Sequence, residues 1–164
     1  MKPTGELISA MIEYYSGDVK RINHFLKVNA FAKAIGENEG LDNEKQETLE
    51  VAAIVHDIGI KISETKYNSS AGKYQEIEGT AISEEFLRKL NYGEKLIERV
   101  CFLVGHHHTY HKIDDIDFQI LVEADFLVNI YEDQLPIENI KAVEEKIFKT
   151  GKGREYLRNL YMKQ

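Results

Sequence analysis

An all-α fold is predicted by the apolar residues of this 164-residue chain, which recur at intervals of three and four along nearly its whole length. Two further observations agree. No segment sustains the apolar–polar alternation of a half-buried strand. Both prolines, Pro3 and Pro136, fall near expected helix starts, where a missing N–H is harmless. The length suits one domain over 1–164 with a sizeable core. The expected architecture is a single-domain helical bundle of about seven helices, with a core over 20–131 and C-terminal helices over 136–163.

The elements follow in order. Leu7, Ile8, Met11, Ile12 and Tyr15 form the first stripe, which Gly17 ends. Asp18 can cap a second helix carrying Ile22, Phe25, Leu26, Val28, Phe31, Ala32 and Ile35, stopped by Asn38 to Gly40. Asp42 can cap a third, running through Leu49, Ala52, Ala53 and Val55 to His56-Asp57, with Gly59 beyond. Residues 63–74 are polar and contain Asn68-Ser69-Ser70 and Gly72, so a loop is expected there. Glu76 to Leu90 reads as a fourth helix and Glu94 to His107 as a fifth, separated by a turn at Asn91-Tyr92-Gly93. Phe118 to Tyr131 is a sixth, and Pro136 starts a seventh. After Gly151-Lys152-Gly153 comes a short amphipathic tail, which either docks on the core through Tyr156, Leu157, Leu160 and Tyr161 or forms a dimer contact.

Composition removes several classes of function. Hydrophobic residues make up 43% and charged residues 30%, the balance of a soluble globular protein. A net charge of −7 argues against general nucleic-acid binding, because a phosphate backbone needs a basic face. The N-terminus has no long apolar core and carries Glu6 and Glu13, unlike a secretory signal, and no apolar run is long enough to span a bilayer. Cys101 stands alone in the apolar segment RVCFLVG and reads as a small core residue, so the expected compartment is the reducing cytoplasm.

Chemistry concentrates in a few imidazoles and carboxylates. His56-Asp57 ends the apolar run LEVAAIVHDIGIK, His24 lies in RINHFLKV, and Asp125 lies in FQILVEADFLVNIYE. These side chains are the usual ligands of catalytic transition metals. Each has an ordinary reading by itself: a boundary histidine, a helix-end aspartate, an aspartate paired with a cation. Together they place two His and two Asp in otherwise apolar helices, where burial is costly unless something pairs with them. Glu123 lies about 160° around the helix from Asp125 and is expected to be the solvated acid. Of His106, His107 and His108, at most two can face one point, since successive helical side chains turn by about 100°.

The ordered set His24, His56-Asp57 and Asp125 resembles the HD-domain superfamily of metal-dependent phosphohydrolases. The segments HDIGIK, QEIEGTAISEEFLRKLNYGEKLIERVCFLVGHHHT and LVEADFLVN carry the resemblance, which covers about 20–131. It implies a helical core in which His24, His56, Asp57 and Asp125 bind a divalent transition metal such as Mn, Fe, Ni, Co or Zn. It also implies hydrolysis of phosphomonoesters or phosphodiesters, often of nucleotides. Some members hold a second metal through a His on the fourth helix and a His pair after the fifth. Where they place the first of these, this chain has Gln75, with Glu78 one turn later; His107 is the first choice for contact within its cluster, then His106 and His108. The Glu-Asp pair of alarmone hydrolases has no match in HDIGIKIS.

The expected partner is a small phosphate ester or nucleotide, attacked by metal-activated water. Asp57 would both ligate the metal and orient the water. Lys61 is placed to meet a substrate phosphate, and the segment 63–74, with Lys66 and Lys73, suits a lid as well as it suits an ordinary exposed loop. Two other readings use the same residues: a metal-binding regulatory or ligand-sensing module without turnover, and a di-iron oxygenase, which needs a full second ligand set.

Overall fold

A computed structural model describes residues 1–163. Among these residues there are nine α-helices and no strand: α1 (Gly5–Tyr14), α2 (Val19–Glu39), α3 (Asn43–Val55), α4 (Ile60–Tyr67), α5 (Gly72–Lys89), α6 (Glu94–Val104), α7 (Ile116–Glu132), α8 (Ile137–Ile147) and α9 (Gly151–Tyr161). A 3₁₀ turn at Tyr110–Lys112 precedes α7. The all-helical class is as predicted, but there are nine helices rather than about seven. The additional ones are α4, from a segment expected to be loop, and α9, the amphipathic tail.

The boundaries follow from capping chemistry. The Asp18 carboxylate accepts a hydrogen bond from Arg21 N (3.1 Å) at the start of α2, and Asp42 accepts one from Lys45 N (2.8 Å) at the start of α3. Gly40 ends α2 in the left-handed region, at φ 75°. The centre of the molecule is α3 and α7. Helix α3 is buried almost continuously from Thr48 to Val55, and α7 from Phe118 to Ile130. Both pack against α2, while α6 covers α3, α5 lies on α6, and α9 closes against α2, α7 and α8. The tail therefore docks on the core: Leu157 is fully buried, and the Tyr161 hydroxyl donates to Leu127 O. No helix among the described residues is long and apolar enough to cross a membrane.

Three local expectations are corrected. Only residues 68–71 of the 63–74 segment lie outside helices, too few for a lid. Its polarity belongs to the exposed face of α4, which turns Ser63 inward, ends at Asn68 (φ 49°) and stacks Tyr67 on Tyr74. Helix α6 stops at Val104, so Gly105–His108 form a turn that sends His106 onto Phe102 and brings the His107 and His108 rings together, their centroids 4.0 Å apart. Glu123 is fully buried rather than solvated. The side of α7 opposite Asp125 is covered by the α8–α9 junction, where the Glu123 carboxylate accepts hydrogen bonds from Lys149 N, Thr150 N, the Thr150 hydroxyl and Gln119.

Gly59 shows why the HDIGIK segment carries its glycine. A Cβ at this position would lie 2.4 Å from Gln75 O and 2.7 Å from Gly79 N, against backbone that cannot rotate away. The absent side chain lets α5 pass directly under the His56-Asp57 turn. Gly59→Ala is expected to destabilise the protein by about 1–3 kcal/mol through overpacking, read as a lower urea midpoint; an unchanged midpoint would show that the two backbones part easily.

Candidate metal centre

Four elements converge at one end of the bundle. Helix α2 contributes His24, the turn after α3 contributes His56 and Asp57, the turn after α6 contributes His107 and His108, and α7 contributes Asp125. His24, His56, His107 and Asp125 are each at most 8% exposed.

The ring orientations are decided by what each Nδ1 faces. Nδ1 of His56 lies 2.9 Å from Ala53 O, Nδ1 of His107 lies 2.8 Å from Val104 O, and Nδ1 of His24 lies 2.9 Å from Glu132 Oε2. Each partner is an acceptor, so each Nδ1 carries the hydrogen and each Nε2 presents a lone pair. Those three lone pairs point into one space. Nε2 of His24 and His56 are 3.3 Å apart, and each is 3.3 Å from Asp57 Oδ2. Asp125 Oδ1 is 3.2 Å from His24 Nε2 and 3.6 Å from His56 Nε2. His107 Nε2, buried and without a hydrogen-bond partner, is 3.3 Å from Asp57 Oδ1.

Acceptors facing acceptors at such distances repel unless a cation lies between them. Ligands held about 2.0–2.2 Å from one ion are separated from each other by distances of this size. His24, His56 and Asp57 meet the spacing required to hold a metal ion, and so do Asp57, His107 and His108. The orphaned His107 Nε2 and the opposed Nε2 pair fit a bound divalent ion and have no other partner here. Electrostatics agree. Burial disfavours the His56 imidazolium, yet Asp57 and Asp125 outweigh it and hold the pKa well above 6.5. Burial likewise opposes the Asp57 carboxylate, but His56 and His107 outweigh it and keep its pKa well below the usual range. The cluster demands a positive charge at its centre.

The cluster floors a cleft of about 470 Å³ open to solvent, whose rim includes Lys20, Arg21, Ser70, Gln75 and Asn129.

Comparison with known proteins places this arrangement. The HD domain family model matches residues 21–147, most of the chain. The chain belongs to the HD domain family. A crystal structure of a predicted HD superfamily hydrolase from an uncultured Thermotogales bacterium superposes on this HD domain with a TM-score of 0.72. The match covers 98% of this chain and 86% of that one at 19% identity, a likeness of fold. No curated protein matches the chain.

Other residues singled out in the sequence lie elsewhere in this HD domain. Lys61 turns away from the cleft, donating to Tyr14 O (3.0 Å). Lys66 pairs with Glu78 (2.8 Å), which also accepts from the Tyr67 hydroxyl, and Lys73 lies over the Tyr74 ring. Gln75 reaches the site but binds His108, its Oε1 3.0 Å from His108 Nε2. An amide oxygen there makes that nitrogen the donor, so Nε2 of His108 is not free to ligate. Burial and the neighbouring His107 push the His108 pKa down to about 4, leaving this imidazole neutral at pH 7. His106 stacks on Phe102 with its Nδ1 on Phe102 O, outside the centre.

Sequence reasoning passed over the cations and supports of the HD cleft. Arg21 lies one helical turn before His24, a spacing that was available to find it, and its guanidinium is held by Asp18 (2.7 Å) and Glu64 (2.5 Å). Glu76 fixes the turn after α6 by accepting from His108 N and the Thr109 hydroxyl. Asn129 donates to Asp125 Oδ1 (2.9 Å), four residues along α7.

The raised histidine pKa values carry a signed prediction for the metal-free protein. The unfolded imidazoles titrate near 6.5 and the folded ones higher, so the folded state binds more protons in between. That stabilisation is complete below 6.5 and is lost as pH rises through the folded values. Chelator-stripped protein is expected to show a higher urea midpoint at about pH 6 than at about pH 9, while metal affinity runs the other way because protons compete for Nε2. A midpoint that rises toward pH 9 would contradict the assigned charges.

Proposed function

We propose that this HD domain is a metal-dependent phosphohydrolase that cleaves a phosphomono- or phosphodiester of a nucleotide or another small phosphate ester. One observation carries the reading: three Nε2 lone pairs and two carboxylates converge at the floor of an open cleft that has cations on its rim. His24, His56, Asp57 and Asp125 would hold a divalent ion (Mn, Fe, Ni, Co or Zn), with His107 beside Asp57. Such an ion lowers the pKa of water toward neutrality and neutralises charge on a phosphoryl oxygen.

The chain's own groups supply the rest. Asp57 presents Oδ1 toward His107 and Oδ2 toward His24 and His56, so its carboxylate can hold the ion and accept a hydrogen bond that orients an attacking water. Asn129 leaves Asp125 one oxygen committed to a fixed orientation. Lys20, at the first turn of α2, offers the ester a cation at the mouth, beside Arg21, whose guanidinium is shared with Asp18 and Glu64; Lys20 thus takes the role that the sequence suggests for Lys61, Lys66 and Lys73. Gln75 accepts from His108 Nε2 and Glu78 is engaged by Lys66 and Tyr67, so neither offers a second ion a ligand, and Asp57, His107 and His108 Nδ1 remain for it, a smaller set than the di-iron oxygenase reading calls for.

The test is turnover of a chromogenic phosphodiester and a panel of nucleotides by stripped protein reloaded with manganese. Turnover that disappears in Asp57→Ala supports the hydrolase. Tight metal binding without turnover of any ester would move the reading to the regulatory or ligand-sensing module.

A further inference from the structure

His56 and His107 each lock their own ring. Their Nδ1 atoms meet backbone carbonyls three residues earlier, Ala53 O and Val104 O, which are left free by the turns that end α3 and α6. His24 has no such partner. It sits inside α2, where the carbonyls of the preceding turn already accept helical hydrogen bonds. Its Nδ1 reaches across the molecule to Glu132, 108 positions away, with Oε2 at 2.9 Å. The other oxygen of Glu132 accepts from Lys27 Nζ at 2.7 Å, one turn after His24 on the same helix. The Glu132 side chain is 13% exposed and lies on the cleft wall.

Helix α7 thus presents a stripe at i, i+4 and i+7: Asp125, Asn129 and Glu132. The first faces the metal centre, the second fixes the first through its Oδ1, and the third faces His24. We infer that Glu132 is a positioning residue for the metal centre, holding His24 as the tautomer whose Nε2 lone pair faces the ion. This inference rests on the metal-centre reading above. Lys27 keeps the Glu132 carboxylate an acceptor, and only an acceptor selects the Nδ1–H form of the ring. Without Glu132 the His24 ring can flip about χ2, which turns a C–H toward the ion, or exchange tautomers, which turns an N–H toward it.

The experiment uses cobalt(II) alone as the probe. Its dissociation constant is measured for stripped protein by competition with a chromogenic chelator, alongside the visible spectrum of the bound ion and the melting temperature of the metal-free form. Glu132→Ala is expected to weaken cobalt binding by about 10- to 100-fold and to alter the spectrum. Glu132→Gln, which keeps an acceptor oxygen and guards against misfolding of the alanine variant, should lose less. Lys27→Met removes the half-exposed ion pair and should change affinity by less than about fivefold.

If Glu132→Ala binds cobalt like the wild type while His24→Ala does not, the positioning role is overturned and the metal centre stands. Equal losses in Glu132→Ala and Lys27→Met would also overturn it, because the ion pair alone would then account for the effect. A wild-type protein that binds no cobalt refutes the metal centre, and the inference falls with it.

Discussion

Asp57→Ala is expected to abolish metal binding and to lower phosphoesterase turnover by at least about 10³-fold, since a bound ion supplies several kcal/mol of transition-state stabilisation. Among the described residues Asp57 is the only one whose two oxygens face all three inward imidazoles, Oδ2 toward His24 and His56 and Oδ1 toward His107. The variant separates chemistry from folding. In the wild type, metal at about a thousandfold excess over Kd adds about 4 kcal/mol of stability, or roughly 10 °C in melting temperature for a chain of this size. Asp57→Ala should show no such rise over its own metal-free form. Elemental analysis of the two proteins as purified checks the first half, and calorimetry with and without manganese checks the second. An Asp57→Ala protein that retains a full equivalent of metal would move the centre elsewhere.

The second large effect lies on the other side of α7. Glu123→Ala should cost about 3–5 kcal/mol, because several buried donors lose one acceptor together and each such loss costs about 1–3 kcal/mol. The carboxylate receives Lys149 N (2.6 Å), Thr150 N (3.0 Å), the Thr150 hydroxyl (2.5 Å) and Gln119 Nε2 (2.6 Å), and so fixes the junction of α8 and α9. The fit is close: a Cβ on Gly153 would lie 1.9 Å from Glu123 Oε2. Gly153→Ala should therefore lower stability in the same direction by pushing the carboxylate off its donors. Urea unfolding of the metal-free proteins measures both. Cobalt affinity should be largely preserved in both variants, since the metal centre faces the opposite side of the helix. A loss below about 1 kcal/mol for Glu123→Ala would mean that water replaces the carboxylate.

These two residues show what the sequence could and could not reveal. His24, His56, Asp57 and Asp125 were legible because ligand-type side chains inside apolar helical runs demand a partner, and their order along the chain matched a known pattern. Glu123 was misjudged by the same periodicity. Helical periodicity points the side opposite Asp125 to solvent, but α7 is covered on both sides, and nothing in its local sequence says that α8 and α9 close over it. The lysines failed for another reason. A long flexible side chain goes to the nearest acceptor, and Tyr14 O, Glu78 and the Tyr74 ring were closer to Lys61, Lys66 and Lys73 than the cleft was. Such competitors belong to tertiary structure. The triple histidine resolved only once α6 was seen to stop at Val104, since the turn, not the helix, sets where each ring points.

The four elements that meet at the centre are far apart along the chain, from His24 on α2 to Asp125 on α7. An ion that needs all of them can be captured only after α2, α3, α6 and α7 have docked, so capture belongs to the last stage of folding. Once bound, it resists any opening that draws α2 from α7, because that motion separates His24 from Asp125. Backbone amides of these two helices should then exchange with solvent more slowly in the loaded protein than in the stripped one, while α8 and α4, which contribute no ligand, keep their rates. The ion thereby ties the slow breathing of the bundle to the state of its cleft, and protection of α2 and α7 becomes a gauge of occupancy that needs no substrate.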